Sequence, residues 1–404
     1  MKYSKQALLI FTLLFFSLIS TSAISSEVKG QAKLQSTKDP APGEKGLEES
    51  LDVKIGQMIL AGFKGIDVKK SDSIVRDIEE RHLGGVILYD YDVAGEKKER
   101  NIQSPHQVKK LIKDLQSYAT IPLIVAIDYE GGKISRLKDS LGFPATVSHQ
   151  YLGEKDDLNL TYKYATTMAG TLSNLGFNLN LAPVADLMVN PDNPIIAKLE
   201  RSFSADHKKV SRHVLEFIKA SHEQGILTSL KHFPGHGSSA TDSHLGMTDV
   251  TKTWSSIELE PFKAIIKEKR VDTIMTAHVY IRNLDPHYPA TLSRAIITDL
   301  LRKKLHYDGV VISDDMGMKA ITDKFGFETA LLKTIEAGVD IIVISNNTGT
   351  SEKDVSGDVA LTIKRLVEEG KISEERIDRS FKRIQKLKSR MRTSSRKMTA
   401  MISN

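Results

Sequence analysis

Along residues 51–392, short apolar runs alternate with longer stretches of helical spacing. The runs are Gln57–Phe63, Gly85–Tyr89, Pro122–Asp128, Asn178–Asp186, Leu227–Phe233, Thr273–Val279, Gly309–Asp314 and Asp340–Ser345. Several are nearly continuous Val, Ile and Leu, the pattern of parallel strands buried on both faces. Between them, His106–Tyr118 puts Val108, Leu111, Ile112 and Leu115 on one stripe, and Asp206–Gln224 does the same with Val210, Val214, Phe217 and Ile218. Leu292–Lys304 and Glu328–Ala337 share that spacing, and Gly338 stands where a helix would take its C-cap. The last such stretch, Glu374–Arg392, would pack over the closing strand. Eight strands alternating with helices predict an α/β fold, a (β/α)8 TIM barrel forming a single catalytic domain. A doubly wound open sheet is the runner-up, but no G-x-G-x-x-G or P-loop follows the first strand.

The flanks read differently. Lys2 and Lys5 precede an apolar stretch, Ala7–Ile19, and small residues at Thr21-Ser22-Ala23. That stretch is shorter than the ~20 residues needed to span a bilayer, so residues 1–23 are expected to be an export signal. Residues 24–50 are polar, with Pro40 and Pro42, and read as a flexible spacer. Residues 393–404 are expected to be a disordered basic tail. The barrel domain is then expected to cover 51–392, in an exported protein expected to be periplasmic or extracellular.

Composition narrows the chemistry. The 404 residues include no cysteine, which excludes a disulfide framework, a thiolate zinc site and a thiol nucleophile. Lys and Arg total 57 against 51 Asp and Glu, a net charge of +6. Eight of the basic residues fall between Phe381 and Met398 with no acid among them. With Lys2 and Lys5 they exceed the whole surplus, so the rest of the chain is net acidic. A nucleic-acid enzyme would spread basic residues over its body, so no nucleic-acid partner is expected. The basic tail could make weak contact with an anionic wall or membrane.

In a barrel, reactive groups sit where strands end and loops begin. Strand three ends in Ile127-Asp128-Tyr129-Glu130-Gly131-Gly132, and strand five runs into Lys231-His232-Phe233-Pro234-Gly235-His236, followed by Thr241-Asp242-Ser243-His244. Strand six ends in Thr276-Ala277-His278 and strand seven in Ser313-Asp314-Asp315. Any one of these could merely cap a helix, but four strand ends would aim acids, histidines and a lysine at one mouth. His232, His236 and His244 invite a metal, yet Pro234 and its flanking glycines break any helix that would align them, and no H-E-x-x-H occurs. The expectation is no metal and no cofactor. Asp314, the first polar side chain after an apolar run, is the nucleophile candidate. Asp315 should point the other way and bond a neighbouring loop or cap the next helix. Asp242 and His244, two apart, would point the same way in an extended loop, where a carboxylate would orient the imidazole for proton transfer.

These residues carry a resemblance to the β-N-acetylglucosaminidases of glycoside hydrolase family 3, the branch that removes N-acetylglucosamine from peptidoglycan fragments. Its most specific parts are KHFPGHGSSATDSHLG (231–246) and SDDMGMKA (313–320), joined by IDYEGGKISRL (127–137), LGFNLNLAPVAD (175–186) and RSFS (201–204). The resemblance implies a retaining exo-glycosidase with Asp314 as nucleophile and His244, oriented by Asp242, as general acid/base. That histidine stands in for the second of the two carboxylates, ~5 Å apart, of the usual retaining arrangement. It further implies that Asp128, Arg136, Arg201, Lys231 and His232 hold the sugar hydroxyls and acetamido group. The expected partner is a carbohydrate containing N-acetylglucosamine, bound by a monomer. The chain departs from the family pattern at Ser238-Ser239, where Asp-Thr is usual, at Tyr129 and Lys133, where Gln and Arg are usual, and at Glu200, where glycine is usual. Alternatives are a β-glucosidase-type hydrolase of the same family, a wall-binding protein without catalysis and a metal-dependent barrel hydrolase. The wider family's two-domain β-glucosidases draw their acid/base from a second domain, whereas here the Asp–His loop is present.

Overall fold

The computed structural model describes residues 50–93, 100–242, 246–318, 321, 324–347 and 354–402, the last eleven of these by backbone only. The expected signal and nearly all of the spacer lie outside the described residues, as does His244.

Every apolar run supplies a strand. They are β1 (Ile59–Gly62), β2 (Gly85–Ile87), β3 (Ile124–Ile127), β4 (Leu179–Asn180), β5 (Leu227–Phe233), β6 (Thr273–Thr276), β7 (Val310–Asp315) and β8 (Ile341–Ile344). All neighbours pair in parallel in sequence order, and β1 pairs with both β2 and β8, with Ile59 opposite Ile342. That last pairing closes the sheet and rules out the open, doubly wound alternative. Val86, Val125 and Ile342 are buried completely, and each such side chain contributes about 1.5–3 kcal/mol by leaving water. The fourth run is the exception, giving two residues where nine were expected. Pro183 has no N–H to donate to the ladder, and pairing with β5 resumes only at a bridge between Val184 and Lys231.

The helices follow the apolar stripes. They are α1 (Leu51–Gln57), α2 (Ser73–Glu80), α3 (Pro105–Tyr118), α4 (His149–Lys155), α5 (Leu158–Leu175), α6 (His207–Glu223), α7 (Glu260–Lys267), α8 (Phe327–Ala337), α9 (Val355–Glu368) and α10 (Glu374–Ile402). Helix α3 starts where Ser104 accepts from the Gln107 N–H, and it buries Val108, Leu111, Ile112 and Leu115. Helix α8 ends on Gly338 in the left-handed region (φ 116°), a conformation that side chains resist. The stretch expected to be helical from Leu292 begins only at Ala295 and winds as a π-helix to Lys304, because Ser293 accepts from the Ile296 N–H and sets the start there.

Helix α10 braces the face where the strands begin. Arg376 donates to the carbonyls of Ile335 (2.7 Å) and Val339 (2.5 Å), Ser380 to Asp340 (2.8 Å), and the buried Lys388 to Gln57 (2.7 Å). The helix does not stop at Arg392 but continues through the expected disordered tail to Ile402. Residues 393–402 hold no Pro or Gly to end it, and Ala, Met, Lys and Arg are good helix formers.

Candidate active site

A cavity of about 230 Å³ opens at the other end of the barrel, where the strands finish. Of the eight site residues expected from the sequence, seven line it: Asp128, Arg136, Arg201, Lys231, His232, Asp242 and Asp314. The eighth, His244, lies outside the described residues. Asp128 follows β3 directly, Lys231 and His232 lie near the end of β5 and Asp314 near the end of β7, while Arg136, Arg201 and Asp242 come from the loops beyond β3, β4 and β5. Ile87, Leu181, Ile195, Met275 and Val343 supply the apolar part of the wall.

One wall is a chain of alternating charges. Lys231, 1% exposed, places Nζ 2.9 Å from Asp128 and 2.6 Å from Glu130. Arg201 holds Glu130 with two donors, Nε at 2.8 Å and Nη2 at 2.7 Å, and gives Nη1 to the Ile195 carbonyl. Arg136 approaches Asp128 and Asp90 at 3.5 Å each. Burial alone would raise the Asp128 carboxyl, but Lys231 and Arg136 outweigh it and hold it below the usual range. Burial would likewise raise Glu130, and Arg201 and Lys231 hold it far below that range. Both carboxylates are therefore ionised and paired, and Asp128 turns toward the cavity as a fixed acceptor.

His232 has its tautomer set by its partners. Arg201 Nη2 lies 3.3 Å from Nε2, and because a guanidinium only donates, Nε2 accepts. Nδ1–H then donates to Asp186 (2.6 Å), which also receives the backbone N–H groups of His232 and His236. The His236 ring, with its neutral form favoured by burial and by His232 so that its pKa falls to about 4, meets the Ser239 hydroxyl at 2.6 Å. Both nearby histidines are thus committed to protein partners. Among the described residues no three Asp, Glu or His side chains group to hold a metal ion.

The nucleophile candidate is oriented by its neighbour. The Asp315 N–H donates to Asp314 Oδ1 at 2.8 Å, and the Asp314 N–H faces Thr276 Oγ1 at 3.4 Å. The Asp315 carboxylate also borders the cavity but is turned to the β8 end, where it accepts from the Ser345 N–H (3.0 Å), the Ser345 hydroxyl and the Gly317 N–H (3.1 Å). Burial raises its pKa. The loop that reaches Asp242 leaves β5 through a tightly held stem. Glu258 accepts from the N–H groups of Gly237 (2.9 Å) and Ser238 (3.3 Å), and Asn193 donates to the carbonyls of His236 and Gly237.

Glu130 and Asp186 hold this site together, yet neither was assigned a role from the sequence. The signal was available, since Asp186 ends the fourth apolar run just as Asp128 ends the third. Two departures from the family pattern meet each other: Lys133 pairs with Glu200 at 2.7 Å, and Glu200 occupies the left-handed region (φ 59°) where glycine is usual. Tyr129 is buried, and burial pushes its pKa up to about 12.

Fold and cavity together are those of a TIM-barrel enzyme with its chemistry at the strand ends. The model of the glycosyl hydrolase family 3 N-terminal domain matches residues 50–387, and the chain belongs to that family. Among curated relatives, a beta-hexosaminidase A of Pseudoalteromonas piscicida is 34% identical over 79% of this chain, which spans 55% of that protein. A beta-hexosaminidase of Shewanella frigidimarina (strain NCIMB 400) is 31% identical over 72% of this chain and 82% of its own length. Among solved structures, a glycoside hydrolase family 3 β-N-acetylglucosaminidase from Paenibacillus sp. str. FPU-7 superposes with a TM-score of 0.76 at 37% identity, over 85% of this chain and 62% of that one.

Proposed function

We propose that this chain is an exported, retaining exo-β-N-acetylglucosaminidase that removes terminal N-acetylglucosamine from peptidoglycan fragments or related β-linked oligosaccharides. The observation that carries the reading is one cavity, on the scale of a single sugar, with Asp314 on one wall and the Lys231–Asp128–Arg136 cluster on another. The hydroxyls of a pyranose meet paired, already ionised groups there, and each charge-assisted bond is worth about 1.5–3 kcal/mol. The names of the relatives, beta-hexosaminidase and β-N-acetylglucosaminidase, support the sugar.

In the first step an Asp314 oxygen attacks the anomeric carbon while its bond to the leaving oxygen breaks and His244 supplies the proton. The product is a glycosyl-aspartate ester. In the second step water gives its proton to His244 and displaces Asp314 from the same carbon, restoring the β-configuration. Asp242 holds the imidazole for both transfers. The Asp315 N–H on Asp314 Oδ1 fixes the carboxylate plane, so the attacking oxygen is presented rather than found by rotation. The leader-like residues 1–23 support export, and the basic residues after Phe381 support contact with an anionic wall.

The test is hydrolysis of a nitrophenyl N-acetylglucosaminide beside the corresponding glucoside, with the first-formed anomer read by proton NMR. The N-acetylglucosaminide should be much the faster and the product β. Asp314→Ala should lose roughly 10³-fold or more in kcat while its Tm stays near the parent's. Equal rates on the two sugars, or an α product, would refute the proposal. Purified muropeptides that release no N-acetylglucosamine would remove the peptidoglycan assignment.

A further inference from the structure

His278 lies two residues past the end of β6, is fully buried, and takes no part in the steps above. Its Nε2 lies 3.0 Å from the carbonyl oxygen of Asp315, and its Nδ1 lies 2.8 Å from the Thr291 hydroxyl. A carbonyl oxygen can only accept, so Nε2 carries a proton. The Thr291 hydroxyl stands 2.8 Å from Thr276 Oγ1, the atom that faces the Asp314 N–H. Thr276 and Thr291 are fully buried as well. In one direction the contacts make a chain: Asp314 N–H to Thr276, Thr276 to Thr291, Thr291 to His278 Nδ1, and His278 Nε2–H to the Asp315 carbonyl, with the Ala277 carbonyl as a competing acceptor for the Thr291 proton. It starts at the amide of the nucleophile and ends at the carbonyl of the residue that holds the nucleophile's Oδ1.

We infer that His278, kept in its neutral Nε2–H tautomer by Thr291, is the positioning residue for Asp314. The inference rests on Asp314 being the nucleophile. The two backbone groups on either side of the Asp314–Asp315 pair belong to β7, and both are tied through side chains to the neighbouring β6 and the turn after it. Without the imidazole, the Asp315–Met316 peptide keeps the Met316 N–H bond to the Val343 carbonyl (3.0 Å) but loses its tie to the segment after β6, and a shift of Asp315 on that side moves the N–H that holds Asp314 Oδ1. Thr291 has one proton and three acceptors in reach, Nδ1 and Thr276 Oγ1 at 2.8 Å each and the Ala277 carbonyl at 3.0 Å, and Thr276 donates to it in the chain. Donation to Ala277 would leave both ring nitrogens as donors and place a cation in a fully buried site. The neutral chain gives up the Thr291 bond to the Ala277 carbonyl and avoids the larger desolvation cost of that cation.

The test uses the full chain and three readouts. His278→Leu should lower kcat/KM on the nitrophenyl N-acetylglucosaminide by about 10²-fold through kcat, the scale of a misplaced reacting atom. Inhibition by free N-acetylglucosamine should move by less than about threefold, because the sugar's own contacts are untouched. His278→Gln, whose amide can still donate to the Asp315 carbonyl, should recover to within about tenfold of the parent. If His278→Leu does not fold, Thr291→Val against Thr291→Ser asks the same question, since only serine keeps the hydroxyl. In nitrogen NMR of the wild type, the His278 ring should show a protonated Nε2 and a bare Nδ1, with the pattern altered in Thr291→Val. Overturning results are His278→Leu within threefold of the parent, parallel loss of turnover and inhibitor binding, or an Nδ1 that carries the proton. A wild type that hydrolyses the substrate while His278→Leu is unaffected sinks this inference alone. A wild type that does not hydrolyse it sinks the functional reading as well.

Discussion

Replacing Lys231 by methionine tests the charge chain at its centre. Methionine keeps the length of the side chain and removes one buried cation that lies 2.9 Å from Asp128 and 2.6 Å from Glu130. The two carboxylates do not suffer equally. Glu130 keeps both Arg201 bonds, whereas Asp128 keeps only Arg136, at 3.5 Å. The loss therefore concentrates on Asp128, whose burial then prevails and lifts its pKa above the ordinary carboxylate value. Removing one partner of a buried pair costs about 3–5 kcal/mol. With an unfolding entropy near 2.1 cal/mol/K per residue over a domain of some 340 residues, that is a fall in Tm of roughly 4–7 °C. The pH dependence follows from the direction of each shift. In the parent, Asp128 is held below its unfolded value, so its contribution is complete above that value and fades only in acid. In the variant, Asp128 is raised, so it destabilises at neutral pH and relaxes as it takes up a proton. The Tm difference between variant and parent should be largest near pH 7.5 and should shrink toward pH 5. Adding Asp128→Asn should return part of the lost stability, because the stranded charge is gone. A Tm difference independent of pH, or one below about 1 °C, would refute the reasoning.

Two further outcomes follow from groups outside the charge chain. Glu200→Gly relieves a left-handed backbone worth about 1–2 kcal/mol, and it gives up an exposed ion pair to Lys133 worth at most about 1 kcal/mol. The variant's Tm should match or exceed the parent's by up to about 3 °C, and a clear fall would be the contrary result. Glu258→Gln probes a buried carboxyl whose pKa is raised to about 7 by burial and by Asp186, despite hydrogen bonds from Ser238 and Gly237. A raised carboxyl destabilises the fold progressively between its unfolded value and its folded one, so the parent should lose on the order of 3 kcal/mol between pH 5 and 8. Urea unfolding of the Gln variant should show a much flatter profile over that range, and parallel profiles for the two proteins would contradict the assignment.

The sequence alone determined the architecture and the address of the site. Apolar runs of strand length alternating with amphipathic helices report how each segment is buried, and burial is a local property of side-chain pattern. Eight such runs required eight strands, and the polar residues at their ends, Asp128, Lys231, His232 and Asp314, had to converge on one mouth once the barrel closed. The shortening of β4 had a signal that the apolar pattern masked, since Pro183 removes a donor wherever it falls. Pairing was not readable. Glu130 meets Arg201 and Lys231, Asp186 meets His232, and Lys133 meets Glu200 only because strands far apart in sequence are brought within hydrogen-bond distance. Whether a strand-end acid is an acceptor for substrate or a brace for its neighbour turns on separations of an ångström or less. Asp314 and Asp315 show both halves of this: strand alternation already turned them apart, whereas the Ser345 N–H and hydroxyl that receive Asp315 are brought against it only by the fold. The same limit hid His278, whose role depends on two threonines and one carbonyl gathered from three separate segments. Local pattern decides what is buried, and the closed barrel decides what each buried polar group is buried against.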